Sequence, residues 1–207
     1  MIKPLLDIFS RLWRGKKDNK ISKENTSAEE ILKSVENFKN RPIYKVLTAE
    51  IIDRTPDDQL LQVIFDNLCE KLPKDYSKTY TSILSFSEGQ QIIYVIWLLA
   101  AEVNNGGFNQ YYFNSSGKFR KLVPDALRLI NAGKFVDLMT RANLIFETEN
   151  EKITKHQDGT LEGFSESYKD NPLNALDKKF YELDKNDQLD KLQVQFIRKN
   201  KIEFIDN

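Results

Sequence analysis

Glu102 has the clearest claim to chemistry in this 207-residue chain. It opens the run E-V-N-N-G-G-F-N-Q-Y-Y-F-N, residues 102–114, where a carboxylate is followed by amides, two glycines and aromatic rings. A carboxylate with a raised pKa, held beside a second acid, a base or a nucleophile, can act as a general acid or base. Alternatively, Glu102, Asn104, Asn109, Gln110 and Asn114 can line a polar pocket for a small ligand. The neighbouring sequence gives catalysis little support. No second carboxylate lies near Glu102 in the chain, so Asp125 or Asp137 would have to be brought to it by folding. His156 sits among charged residues, as a solvent-exposed side chain does. The Gly106-Gly107-Phe108 stretch lacks the Lys and hydroxyl that complete a phosphate-binding loop. One cysteine, Cys69, and that one histidine cannot build a His- or Cys-rich metal site, and no cofactor is expected. Phe108, Tyr111, Tyr112 and Phe113 with their interleaved amides could stack on bases, but rings at this spacing also serve as core.

The elements that must position Glu102 favour a structural role. Ser87 and Gln90 match a capping box, which predicts a helix start. Ile92 to Ala101 contains no charged or amide side chain. A helix apolar on every face is buried at the centre of a protein or spans a membrane. This run is too short for a span, which needs about 20 residues. Glu102 then falls in the last turn, at the unfavourable end of the helix dipole, at a cost of roughly 0.3–1 kcal/mol. Gly106 and Gly107 stop the helix, and Asn104 or Asn105 caps a second one. The free amides of Gly107, Phe108 and Asn109 are then the expected partners of the Glu102 carboxylate. In this reading Glu102 staples two helices across a tight turn.

The order E-x-x-N-G-G-F-x-Q-Y-x-x-N, here Glu102, Asn105, Gly106, Gly107, Phe108, Gln110, Tyr111 and Asn114, resembles the signature of a bacterial family. That family, once catalogued as a domain of unknown function, is named for the C-terminal domain of a DNA-mimic protein. The resemblance covers roughly residues 76–200. It implies an all-helical fold without enzyme activity. It also implies binding of a protein partner through acidic side chains spaced like phosphates; the best-known member acts as a dimer on a transcription regulator. A partner that is basic or DNA-binding, and a homodimer, are expected on this ground. The composition departs from the pattern, because 31 Lys and Arg balance 31 Asp and Glu.

The remaining chain predicts an all-α protein. Its 40% hydrophobic and 30% charged residues describe a soluble globular chain, and the neutral total argues against direct nucleic-acid binding. A single cysteine suits a reducing, cytoplasmic compartment. Residues 1–25 form a basic amphipathic segment and linker, and 26–207 a single helical domain. In the first segment Leu5, Leu6, Ile8, Phe9, Leu12 and Trp13 make an apolar stripe amid Lys and Arg, suited to an anionic membrane surface. Helices are expected from Ser27, from Tyr44 to Asp53, from Thr55 as N-cap of a helix opening at Pro56, from Pro124 to a stop at Gly133, and from Asn171. Glu147 to Asp170 reads as a long loop, and Ile202 to Ile205 as an extended tail. Acids outnumber bases twelve to six between Glu147 and Asp190. Glu147, Glu149, Glu151, Asp158, Glu162, Glu166 and Asp170 are the expected acidic partner face. Three functions follow: a non-catalytic protein-binding module, a ligand binder or enzyme at the Glu102 junction, and a membrane-associated adaptor through residues 1–23.

Overall fold

The computed structural model describes residues 28–156, 158, 160–185 and 188–206. The basic segment, the linker and the expected cap at Ser27 lie outside them. The chain divides into two units at Ile43/Tyr44. In the first, helix α1 (Ala28–Lys39) carries Phe38, whose ring is covered by the Arg41 guanidinium at 3.7 Å.

The second unit contains α2 (Ala49–Arg54), α3 (Asp57–Glu70), α4 (Thr79–Leu84), α5 (Glu88–Phe113), α6 (Val123–Leu129), α7 (Gly133–Thr148), α8 (Asn150–Thr154), α9 (Leu161–Glu166), α10 (Asn174–Leu183) and α11 (Gln188–Lys199). Short 3-10 turns occur at Tyr76–Lys78, Ser115–Phe119 and Lys201–Phe204, and no strand occurs among the described residues. The protein is all-α, as the sequence predicts.

Helix α5 is the centre. Its start is fixed by the expected capping box: the Gln90 amide donates to Ser87 Oγ, and the Ser87 amide donates to Gln90 Oε1, each at 3.2 Å. Its residues Ile92, Ile93, Val95, Ile96, Trp97 and Leu99 are all buried, on every face of the helix. Helices α3, α4, α6, α10 and α11 and the last 3-10 turn pack around it. Trp97 stacks on Phe65 of α3 with centroids 3.5 Å apart. Each aliphatic side chain so enclosed contributes about 1.5–3 kcal/mol of transfer free energy. The C-terminal tail closes the far end. Asp206 donates its amide to Leu47 O (2.9 Å) and accepts the Leu47 amide on Oδ2 (2.8 Å).

Several local expectations are corrected. Thr55 does not cap α3; its hydroxyl donates back to Ile51 O and closes α2 (2.6 Å). The second helix begins at Ala49, after Thr48 accepts the Ile51 amide (3.3 Å). Gly133 does not stop α6 but opens α7; the turn is made by Asn131, at φ 62°. The stretch from Glu147 to Asp170 is not one loop, because it holds the end of α7, α8 and α9. The tail at Ile202 is a 3-10 turn, with Phe204 buried beneath it.

Candidate functional site

Within α5 the helix breaks at Gly106 (φ −151°, ψ 28°) and Gly107 (φ 70°, ψ −176°). The second pair of angles is open to glycine almost alone. A break leaves backbone groups without their i→i−4 partners. Here side chains from α10 and from the turn after α9 reach them. The Phe108 amide donates to Asp177 Oδ1 (2.8 Å). Val103 O accepts the Tyr181 hydroxyl (2.9 Å), and Gly106 O accepts the Tyr168 hydroxyl (2.8 Å). Asp177 and Tyr181 stand four residues apart on α10, hence on one face. Their neighbours Leu176 and Phe180 are buried in the core, which fixes the rotation of α10. A Cβ on Gly107 would lie 2.6 Å from Asp177 Cγ, so the bare glycine is what allows the carboxylate to approach. Burial pushes the Asp177 carboxyl above its ordinary value, against the opposing pull of the Phe108 amide.

This arrangement corrects the expected partnership of Glu102. Its oxygens do not meet the Gly107 or Phe108 amides, which belong to a different junction. Glu102 Oε2 accepts Gln110 Nε2 (2.6 Å) and Asn114 Nδ2 (2.9 Å), and Oε1 accepts Ser116 Oγ (2.7 Å). The carboxylate thus ties the first half of α5 to the second half and to the following 3-10 turn. It is enclosed, with Glu102 4%, Gln110 5% and Ser116 3% exposed. Burial raises its pKa, and the hydrogen bonds from Gln110, Ser116 and Asn114 work against that rise. Every donor found on it is neutral. General acid–base catalysis requires a reacting group to reach the carboxyl. At 4% exposure, the Glu102 carboxylate serves three side-chain donors as an acceptor.

The other motif residues divide into sets. Asn105 does not cap a helix; its Nδ2 donates to Gln110 Oε1 (2.9 Å), so Gln110 relays between Asn105 and Glu102. Asn109 points elsewhere, donating to Ser167 Oγ (2.8 Å) and accepting Asn171 Nδ2 (2.7 Å). Phe108 meets Phe180 edge to face, with centroids 6.0 Å apart. The Tyr111 ring is fully buried and its hydroxyl has no hydrogen-bond partner among the described residues; burial pushes that phenol upward. Tyr112 stacks on Phe146 at 4.3 Å and donates to Asn143 Oδ1 (2.7 Å). These rings are core, not a stacking platform. Asn104 is buried beside the break, with its Oδ1 unpartnered among the described residues.

Of the expected acidic face, Glu147, Glu149, Glu151, Asp158, Glu162 and Asp170 are exposed. Asp158 accepts the Thr160 hydroxyl (2.7 Å) and amide (2.9 Å), which hold its carboxyl below the ordinary range. Glu166 is partly exposed and pairs with Lys169 at 2.8 Å. Two other acids of the stretch turn inward. Asp177 serves the helix break, and Asp184, 4% exposed, accepts the Leu189 amide at the start of α11 (3.0 Å). A hollow of about 350 Å³ is lined by Lys152, Lys155, Lys169 and His156 together with Glu166 and Asp170, so the surface there carries both signs.

The fold and the site define an all-helical module whose polar centre is a closed joint in its central helix. The chain belongs to the DMP19-like protein family, whose sequence profile matches residues 84–200. The match encloses the whole run from Glu102 to Asn114 and both α10 residues that serve the break. No curated protein and no solved structure matches the chain.

Proposed function

We propose that this protein is a non-catalytic binding module that engages a basic protein partner, such as a DNA-binding protein, through the exposed carboxylates of residues 147–170. Membership of the DMP19-like family, with its DNA-mimic character, is the observation that carries the reading. Enclosure of Glu102 supports it, because the motif is occupied with holding the fold and leaves recognition to the outer surface. Glu147, Glu149 and Glu151 stand exposed within five residues, at the end of α7 and the start of α8. Carboxylates so placed speed the approach of a cationic partner and are weakened by salt. Lys152, Lys155 and Lys169 interrupt the negative surface, so recognition rests on a pattern of charges rather than on a uniform field.

Capture from a host lysate at low and at moderate salt tests this. The expected result is a retained protein that is released as salt rises and is lost from a Glu147→Lys/Glu149→Lys/Glu151→Lys variant. Retention of no protein by the wild type at either salt would overturn the reading, as would equal retention by the triple variant.

A further inference from the structure

Three lysines and the chain's single histidine meet around the hollow of about 350 Å³. Lys152 lies on α8, Lys155 and His156 follow it, and Lys169 follows α9, so two stretches of chain supply the positive charge. Like charges gathered in this way repel one another unless something negative sits between them. Glu166 is already bonded to Lys169 (2.8 Å), which leaves Asp170 as the other carboxylate of the lining. Lys152 and Lys155 are exposed and have no ion pair among the described residues. One wall of the hollow is anchored in the core. Ser167 and Asn171 belong to the lining at 5% and 7% exposure. Ser167 Oγ accepts Asn109 Nδ2 (2.8 Å), and Asn171 Nδ2 donates to Asn109 Oδ1 (2.7 Å), so both are tied to the central helix. Between them Asp170 is held at φ 53°, a region that side-chain-bearing residues enter at a cost and that recurs at ligand clamps.

We infer that this hollow is a binding site for a small phosphate ester with a hydroxyl-bearing body. Its volume falls within the range of small-molecule sites, about 300–1,000 Å³. Such sites are usually lined by aliphatic and aromatic side chains. Here the lining holds no aliphatic residue, and its one ring is the imidazole of His156, so the ligand is polar over its whole surface. Three ammonium groups exceed what the single charge of a carboxylate would use. A phosphate monoester brings nearly two negative charges and three acceptor oxygens, and lysine binds it as a point charge. Glu166 and Asp170 are acceptors, suited to the hydroxyls of the ligand's body. The same two carboxylates would repel the next phosphate of a polynucleotide, and there is no ring face on which a base would stack beyond the imidazole. A bound dianion would also offset the lysines that interrupt the carboxylates of residues 147–170. That consequence rests on the proposed function, whereas binding itself does not.

The test titrates the full chain, in a buffer free of phosphate, with glycerol phosphate, inorganic phosphate and glycerol. Calorimetry gives the affinity, and backbone amide shifts give the place. The expected result is one molecule of glycerol phosphate per chain, weaker binding of inorganic phosphate and none of glycerol, with shifts centred on Lys155, Lys169 and Asn171. Lys152→Gln/Lys155→Gln should weaken glycerol phosphate by about tenfold or more, since each charged hydrogen bond lost is worth about that factor. Lys178→Gln/Lys179→Gln alters two exposed lysines of α10 outside the hollow and should bind like the wild type. Unchanged far-ultraviolet circular dichroism confirms that each variant is folded. Three results would overturn the inference. Neither phosphate gives heat or amide shifts; or inorganic phosphate binds as tightly as glycerol phosphate, which means that the body is not recognised; or the two lysine variants lose affinity equally, which means general attraction of anions to the surface. No partner protein enters the experiment, so its failure leaves the proposed function standing and the failure of that function leaves this site standing.

Discussion

Replacing Asp177 by Ala isolates the repair of the broken helix. The Phe108 amide would lose its hydrogen bond to Asp177 Oδ1, in a residue 1% exposed. An unpartnered buried amide costs about 1–3 kcal/mol, and loss of a helix N-cap costs about 0.5–2 kcal/mol. Both figures describe the same bond, so they overlap, and the expected loss is about 2 kcal/mol. For a unit of this size that lowers Tm by about 4–8 °C. Asp177→Asn keeps an acceptor oxygen and removes a charge that burial penalises, so it should stay within about 1 kcal/mol of the wild type. The assay is thermal unfolding of the three proteins, with amide hydrogen exchange at Phe108. Exchange should accelerate in the Ala variant more than at amides in the first half of α5. If Ala and Asn are equally harmful, charge rather than hydrogen bonding holds the break. If neither changes Tm or Phe108 exchange, the account of the break is wrong.

Other perturbations bear on the same joint. Gly107→Ala places a methyl at φ 70° and against the Asp177 carboxylate, and should cost at least about 2 kcal/mol in denaturant unfolding. Tyr181→Phe and Tyr168→Phe each strand one carbonyl, at Val103 and Gly106, and should each cost about 1 kcal/mol by the same measurement. Glu102→Gln tests the protonation of the enclosed carboxyl. Its folded pKa lies above the ordinary 4.5, so the folded state holds the proton more tightly than the unfolded state does. The stabilising contribution of that proton is full below about 4.5 and is lost as pH rises through the folded pKa. Glutamine has no such loss. The Tm of Glu102→Gln relative to the wild type should therefore climb as pH rises from 4.5; a difference that is flat across that range would refute the assignment.

What could be read from the sequence was local. Ser87 and Gln90 sit three residues apart, and their capping box is present as expected. The uninterrupted apolar run from Ile92 to Ala101 gave the central helix, because a helix buried on all faces needs no periodicity. The break at Gly106 and Gly107 followed from their conformational freedom. The partners of the break were hidden for a physical reason. Asp177 lies 69 residues from Phe108, and Tyr181 lies 78 from Val103. In the chain Asp177 is one acid among many, and nothing in its neighbours marks it as turned inward. Separations of 58 and 62 residues concealed the pairing of Asn109 with Ser167 and Asn171 in the same way. Glu102 joins the two halves of α5 through side-chain donors rather than the expected backbone amides, because backbone amides and side-chain amides are equally near it in sequence. Helices α8 and α9 were missed because five and six residues are too few to display a helical period.

The denaturant midpoint of Glu102→Ala tests the structural role of the motif most directly. Removing the carboxylate strands donors on Gln110, Asn114 and Ser116, each worth about 1–3 kcal/mol when abandoned, while relieving the cost of a buried charge. The predicted net loss is about 3 kcal/mol. A variant as stable as the wild type would contradict the account and return Glu102 to the list of groups kept for binding or reaction.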